Sequence, residues 1–285
     1  MKHFARYMLT RSSVGRLAAP LLRNTYERRI WARSMNLFSG VFPTYAAAVS
    51  HNPRSADVGW NDEGIAKVLV GDETPRRRHE RRDDLPILLE QPSTFAVMLW
   101  LGKLVKPGTS IVDVGGASGL SYWHFRDYFD LPDETKWTVV DVPEMASRGK
   151  ALAQRTGALG LEFTDRIESI SNCDVLISLG CLQYMSPDAF NRFVDLAARA
   201  QTVIINKMPL IDGPDFWTLQ SLGSTSGTYW IANRDAFVRR FQAVGLEIAD
   251  AWTVPELTID IPFAPERHVG SLRGLVLKRN RPHGG

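Results

Sequence analysis

Apolar and polar positions in the last two-thirds of this 285-residue chain fall into two alternating patterns. Short, nearly continuous apolar runs read as buried strands: IVDV ending at Val114, WTVVDV ending at Val142, LEF ending at Phe163, CDVLISLG from Cys173 and TVIINK from Thr202. Cys173–Gly180 is unbroken enough for a central parallel strand covered on both faces. Between these runs, apolar residues recur at helical spacing in Ser93–Lys106, Ser121–Phe129, Pro143–Arg155, Pro187–Ala200 and Arg234–Val244. Pro143 and Pro187 suit a first helical turn, Ser186 and Asn233 suit helix caps, and Pro107–Gly108, Pro132 and Gly245 mark stops. Two further strands, Leu246–Val254 and Ser271–Arg279, close the pattern. Strand–helix alternation ending in two strands predicts a doubly wound α/β fold with a mostly parallel, seven-stranded sheet.

The first third reads differently. Residues 1–40 form a basic, helical arm interrupted by Pro20, Phe38–His51 a turn and a short helix, and residues 52–90 a polar, irregular stretch. This divides the chain into an N-terminal helical extension or cap, 1–90, and a ligand-binding domain, 91–285. Met208–Ala232, with Gly213, Gly223 and Gly227, shows no clear period and is expected to be a long connection that closes over a site.

Ser110–Phe125 couples the first strand to a glycine-rich turn and a helix. Glycines let the backbone approach a ligand closely, and the helix start presents unpaired N–H groups. Twenty-two residues past Gly119, the second strand runs into Asp141, where a carboxylate can take both hydroxyls of a ribose. The dinucleotide pattern G-x-G-x-x-G fails here: counted from Gly115, its third place is Ala117 and its sixth Leu120. The remaining D-x-G-G-x-x-G of Asp113, Gly115, Gly116 and Gly119 resembles the first motif of class I S-adenosylmethionine (SAM) methyltransferases. The bland alternative is a strand–helix turn with no cofactor. Ala117 is expected to keep ordinary, negative-φ backbone angles.

Four segments taken in order, FSGVFPTYAAA, IVDVGGASG, DVLISLGCLQYM and GLVLKR, are similar to a family of bacterial SAM-dependent methyltransferases associated with saccharide and secondary-metabolite clusters. The likeness runs from Phe38 to Arg279. It implies SAM as cofactor and methyl transfer to a small-molecule or saccharide acceptor, most often at oxygen. It also implies roles. Gly115, Gly116 and Gly119 would meet the methionine portion, and Asp113 would orient their turn. Asp141 would hold the ribose, Val142 and Asp165 the adenine, and Ser178, Leu179 and Gly180 the opposite side. In the wider group of small-molecule O-methyltransferases a histidine base follows the fourth strand. Gln183 stands there in this chain and cannot take a proton.

On the acceptor side the candidates are Tyr122, Trp123, Gln183, Trp217, Tyr229 and Trp230, with Tyr184 and His268 as catalytic residues. Their bland readings are core packing for the aromatics and an inert loop position for His268.

Charge is uneven. Residues 1–82 carry 15 Lys/Arg against 7 Asp/Glu, and the rest carry 19 against 24. Packing of the basic arm on the domain or a second subunit, docking on an anionic membrane face, and targeting are the three readings of that excess. On the docking reading, residues 1–37 are dispensable for cofactor binding. The run Arg76–Arg82 reads as a solvated loop. No aromatic residues interleave it to stack on bases, and no nucleic-acid partner is expected. Cys173 and Cys181 read as reduced core residues of a cytosolic protein, and histidine and cysteine spacing suggests no metal. A non-catalytic SAM-fold binding or assembly protein and an NAD-linked oxidoreductase are the rival functions.

Overall fold

The computed structural model describes residues 22–53, 59–69, 79–82, 85–88 and 92–279. Its main sheet is built from β4 (Ser110–Val114), β5 (Lys136–Val140), β6 (Leu161–Thr164), β7 (Cys173–Leu179), β8 (Ala200–Met208), β12 (Leu246–Val254) and β13 (Leu272–Arg279), in the order β12-β13-β8-β7-β4-β5-β6. The five strands from β8 to β6 are parallel, and β13 runs antiparallel to both neighbours. Strand alternation sends successive residues to opposite faces. Ile111, Val175 and Ile204 pack against helices Pro92–Leu104, Leu120–Tyr128 and Pro143–Thr156. Val112, Leu176 and Val203 pack against helices Pro187–Ala197 and Arg234–Gln242. The expected caps form: Ser186 Oγ accepts the Ala189 N–H and Asn233 Oδ1 accepts the Ala236 N–H.

A second, four-stranded sheet has the order β1-β10-β11-β9, with β1 spanning Met35–Phe42, β9 Leu210–Ile211, β10 Phe216–Leu222 and β11 Ser226–Asn233. It corrects two expectations. Met208–Ala232 is not a free connection: β10 and β11 form a hairpin, and every residue of β10 is buried. Part of the basic arm is a strand: β1 pairs antiparallel with β10, so a segment of residues 1–90 completes a sheet contributed by 91–285. One face of this sheet packs Phe216, Tyr229 and Ile231 with Phe38, Val254 and Ile261. The other packs Trp217 and Leu219 against Tyr26, Trp31 and Phe263. The Tyr26 hydroxyl donates to the Phe38 carbonyl and the Trp31 indole to that of Leu37. Tyr26 and Trp31 thus anchor residues 22–37 onto the second sheet, although most of the segment stays exposed.

Residues 79–82, the end of the arginine run, form strand β2 (His79–Arg82) against β3 (Leu85–Leu88) rather than a loop; Arg76 to Arg78 lie outside the described residues. No helix among the described residues is long and apolar enough to cross a membrane.

Candidate active site

The C-terminal ends of β4 to β7 open into a cavity of about 560 Å³. Its floor is the turn after β4. Gly115, at φ +80°, donates its N–H to the Val140 carbonyl, and a Cβ there would fall 2.2 Å from Cβ of Cys181. Only glycine lets Cys181 approach the turn so closely. A Cβ on Gly116 would lie 2.6 Å from the Asp113 carboxyl carbon, so that carboxylate sits directly beneath the turn.

Ala117 departs from the expected geometry. Its φ is +49°, in the left-handed region that costs an L-residue roughly 1–2 kcal/mol. Its N–H donates to Asp141 Oδ2, 2.8 Å away, while Asp141 Oδ1 accepts the Val142 N–H, also at 2.8 Å. Asp141 therefore ties the end of β5 to the turn of β4. Burial raises its pKa above the ordinary carboxylate value, and the two N–H donors oppose the shift.

Asp113 is 1 % exposed, and its Oδ2 has no hydrogen-bond partner among the described residues. Desolvation pushes its pKa up to about 7, the Asp141 charge adds to the rise, and the Ser121 hydroxyl and Trp137 indole act against it. A buried carboxyl beside a second carboxylate keeps its proton more readily than a solvated one.

One wall carries Val142 and Asp165, and the opposite wall Gly180 and Cys181. Tyr45, Trp60 and Tyr184 supply aromatic surface, with Met145 and Met185 beside them. Trp60 is held there by its neighbour Asn61, whose Oδ1 accepts the Glu144 N–H at the start of helix Pro143–Thr156. Its ring meets that of Tyr184 edge-on, with centroids 4.9 Å apart. The Tyr184 hydroxyl donates to Gln220 Oε1 at 2.7 Å, and Gln220 Nε2 donates to Asn36 Oδ1 at 3.2 Å. Burial pushes the Tyr184 and Tyr229 hydroxyls well above the usual phenol range.

Of the residues expected at the site, Gly115, Asp141, Val142, Asp165, Gly180 and Tyr184 line the cavity. Asp113, Gly116 and Gly119 lie under or behind the turn, and Ser178 is buried, with its hydroxyl donating to the Val114 carbonyl. Leu179 packs at the edge of the sheet core. Gln183 is 4 % exposed and its Nε2 donates to the Gly180 carbonyl, which shapes the wall from behind.

The other expected acceptor residues are not part of the lining. Tyr122 is core, its ring edge-on to Trp137 with centroids 5.8 Å apart. The Trp123 indole donates to the Ser118 carbonyl within its own turn. Trp217 and Trp230 stack on each other, and Trp230 continues into Phe190 and Phe237. Tyr229 lies behind Tyr184, edge-on to its ring. His268 lies in the connection between β12 and β13, where its Nδ1 pairs with Asp260 Oδ1 at 2.7 Å. Cys181 is not a core residue: it lines the cavity, and only Cys173 is buried as expected.

Tyr45, Trp60 and Gln220 escaped the sequence reading. Tyr45 lies inside FSGVFPTYAAA, a segment singled out only for its family likeness, and Trp60 is a lone aromatic in a polar stretch. Gln220 gives no signal until β10 is known to be a strand.

The seven-stranded order and the glycine turn under the cavity define the class: this is the class I SAM-dependent methyltransferase fold. No family model matches the chain, and no curated relative does. Among solved structures, it is similar to magnesium protoporphyrin IX methyltransferase from Synechocystis PCC 6803 with bound SAH, at 15 % identity over 79 % of this chain and 97 % of that one, TM-score 0.50. The [4+2]-cyclase SpnF matches at 14 % identity over 85 % and 100 %, TM-score 0.52. A sarcosine dimethylglycine methyltransferase from Galdieria sulphuraria, so described provisionally, matches at 12 % over 77 % and 98 %, TM-score 0.51. Neighbours described by such different chemistries share an architecture, and the architecture is what the likeness establishes.

Proposed function

We propose that this chain is a SAM-dependent methyltransferase acting on a small-molecule or saccharide acceptor, at oxygen. The observation that carries the reading is the Asp141 carboxylate at the edge of a cavity of about 560 Å³, within the range of about 300–1,000 Å³ usual for small-ligand sites. A carboxylate has about four lone-pair sites. Ala117 and Val142 occupy two, which leaves two for a vicinal diol. Val142 would pack on the adenine and Asp165 accept from its amine. The Gly115 backbone would meet the methionine portion, over a turn that Asp113 supports from below.

When bound, the cofactor supplies an electrophilic methyl group on a good leaving group. What remains for the protein is alignment and exclusion of water. Tyr184 serves alignment: its hydroxyl is engaged as a donor to Gln220 and its proton is held tightly. His268, paired with Asp260 away from the cavity lining, is assigned no proton transfer.

One observation favours a second reading, a non-catalytic SAM-binding protein: among the described residues lining the cavity there is no histidine or lysine. Methyl-labelled SAM with mixed acceptor extracts separates the two. Label moving into an acceptor supports transfer. Tight SAM binding with no label transferred supports the second reading.

A further inference from the structure

The N-terminal segment supplies part of the cavity that the glycine turn floors. Trp60 lies in the short turn of helix Gly59–Asn61, just before helix Glu63–Leu69. Asp62 caps the second of these, its Oδ1 accepting the Ile65 N–H at 3.0 Å. Ile65 and Ala66 are buried with Met145 and Leu152 of helix Pro143–Thr156, and Trp60 and Val142 pack against the same cluster. Asn61 Oδ1 accepts the Glu144 N–H at 3.1 Å, an amide that has no partner within its own helix. Arg148 also reaches Glu63, at 3.5 Å, but the Glu63 side chain is 82 % exposed and such a pair contributes little. Apolar burial and the Asn61 bond are what seat Trp60.

The seat lies across the turn. Trp60 is half-buried and lines the cavity. It packs with Val142, which follows β5, and meets the ring of Tyr184, which follows β7, edge-on with centroids 4.9 Å apart. β5 and β7 flank β4 in the sheet, so one indole bridges the two strand ends on either side of the glycine turn. The indole N–H is buried, so what the residue offers the cavity is apolar ring surface. On the reading of this cavity as a SAM site, we propose that Trp60 is a cofactor-binding residue whose ring covers the adenosine half of SAM, beside the adenine that Val142 supports. A nucleobase stacks through its π-face whatever its polar edge is doing. That leaves Asp165 for the amine and Asp141 for the ribose. The cofactor site is then shared between the two parts of the chain: residues 91–285 carry the glycine turn and the carboxylates, and the N-terminal segment carries one of the apolar surfaces that hold the base.

The test uses the full chain, and binding of S-adenosylhomocysteine (SAH) to the wild type is measured first. A wild type that does not bind SAH defeats the SAM reading and this inference with it. Given binding, Trp60→Leu should weaken SAH about tenfold, the scale of one lost base–aromatic contact. It should weaken 5′-methylthioadenosine, which lacks the amino-acid end, by the same factor. Trp60→Phe, which keeps a ring, should stay within about threefold of the wild type. A second measurement does not depend on the leucine variant folding. The eight tryptophans are labelled as 5-fluorotryptophan, and the resonance missing from Trp60→Phe is that of Trp60. Saturating SAH should move this fluorine signal and reduce its H2O/D2O solvent shift as the ring is covered. Unchanged SAH affinity in Trp60→Leu, a loss seen with SAH but not with 5′-methylthioadenosine, or a Trp60 signal indifferent to SAH overturns the inference and leaves the SAM reading standing.

Discussion

Asp141 Oδ2 accepts the N–H of Ala117 at 2.8 Å, and that bond joins the end of β5 to the turn after β4. The same residue sits at φ +49°, so a non-glycine residue in the left-handed region carries the amide that meets the carboxylate. Asp141→Ala should therefore weaken SAH binding by about 1.5–3 kcal/mol, the scale for charge-assisted hydrogen bonds. Ala117→Gly keeps the N–H and relieves the strain, and should leave SAH affinity within about threefold. Calorimetry on both variants checks the pair. Loss of binding in Ala117→Gly but not in Asp141→Ala would contradict the assignment.

Asp113 gives the fold a pH dependence of definite sign. Its pKa rises from 3.8 in the unfolded chain to about 7 in the folded one. The folded state then binds more protons between these values, so stability is lost as pH rises from near 4 to near 7. Asp141 shifts in the same direction. Asp113→Asn should flatten this slope, and the variant should gain on the wild type as pH rises from 5 to 8. Urea unfolding at the two pH values measures it; a constant difference between the proteins would refute the buried-acid account.

The N-terminal segment is expected to matter for folding. Trp31 is 1 % exposed and packs with Trp217, Leu219 and Phe263. Trp31→Ala should destabilise the protein by about 3–5 kcal/mol. Deleting residues 1–37 removes that side chain and the first residues of β1, and should abolish cooperative unfolding. A truncated protein with an unchanged melting temperature would restore the view of a dispensable arm.

The β10–β11 hairpin should behave as sheet. β10 is hydrogen-bonded on both sides, to β1 and β11. Its amides should exchange slowly with or without ligand. Fast exchange in the ligand-free protein that slows on adding SAH would reinstate a closing lid.

The parts legible in the sequence were those where one physical rule dominates. Cys173–Gly180 read as a central strand because its apolar run is nearly continuous, broken only by Asp174 and Ser178, and Asp141 stood out because an acid ended an apolar run. The hairpin was not legible. Thr218, Gln220, Ser221, Ser226 and Thr228 are buried between layers, so neither an apolar run nor an alternation marks them. β1 was hidden by its glycine and serine, and its pairing partner lies about 180 residues away. Tyr122 misled because an aromatic residue in the helix after a glycine turn can face the sheet or the ligand, and spacing alone does not choose.

The most direct test of the account is calorimetric titration of the full chain with SAH, and in parallel with NAD. Saturable SAH binding in the micromolar range, about −8 kcal/mol, and no heat with NAD are expected. A chain that binds NAD, or that gives no saturable signal with SAH while fully folded, would contradict the account.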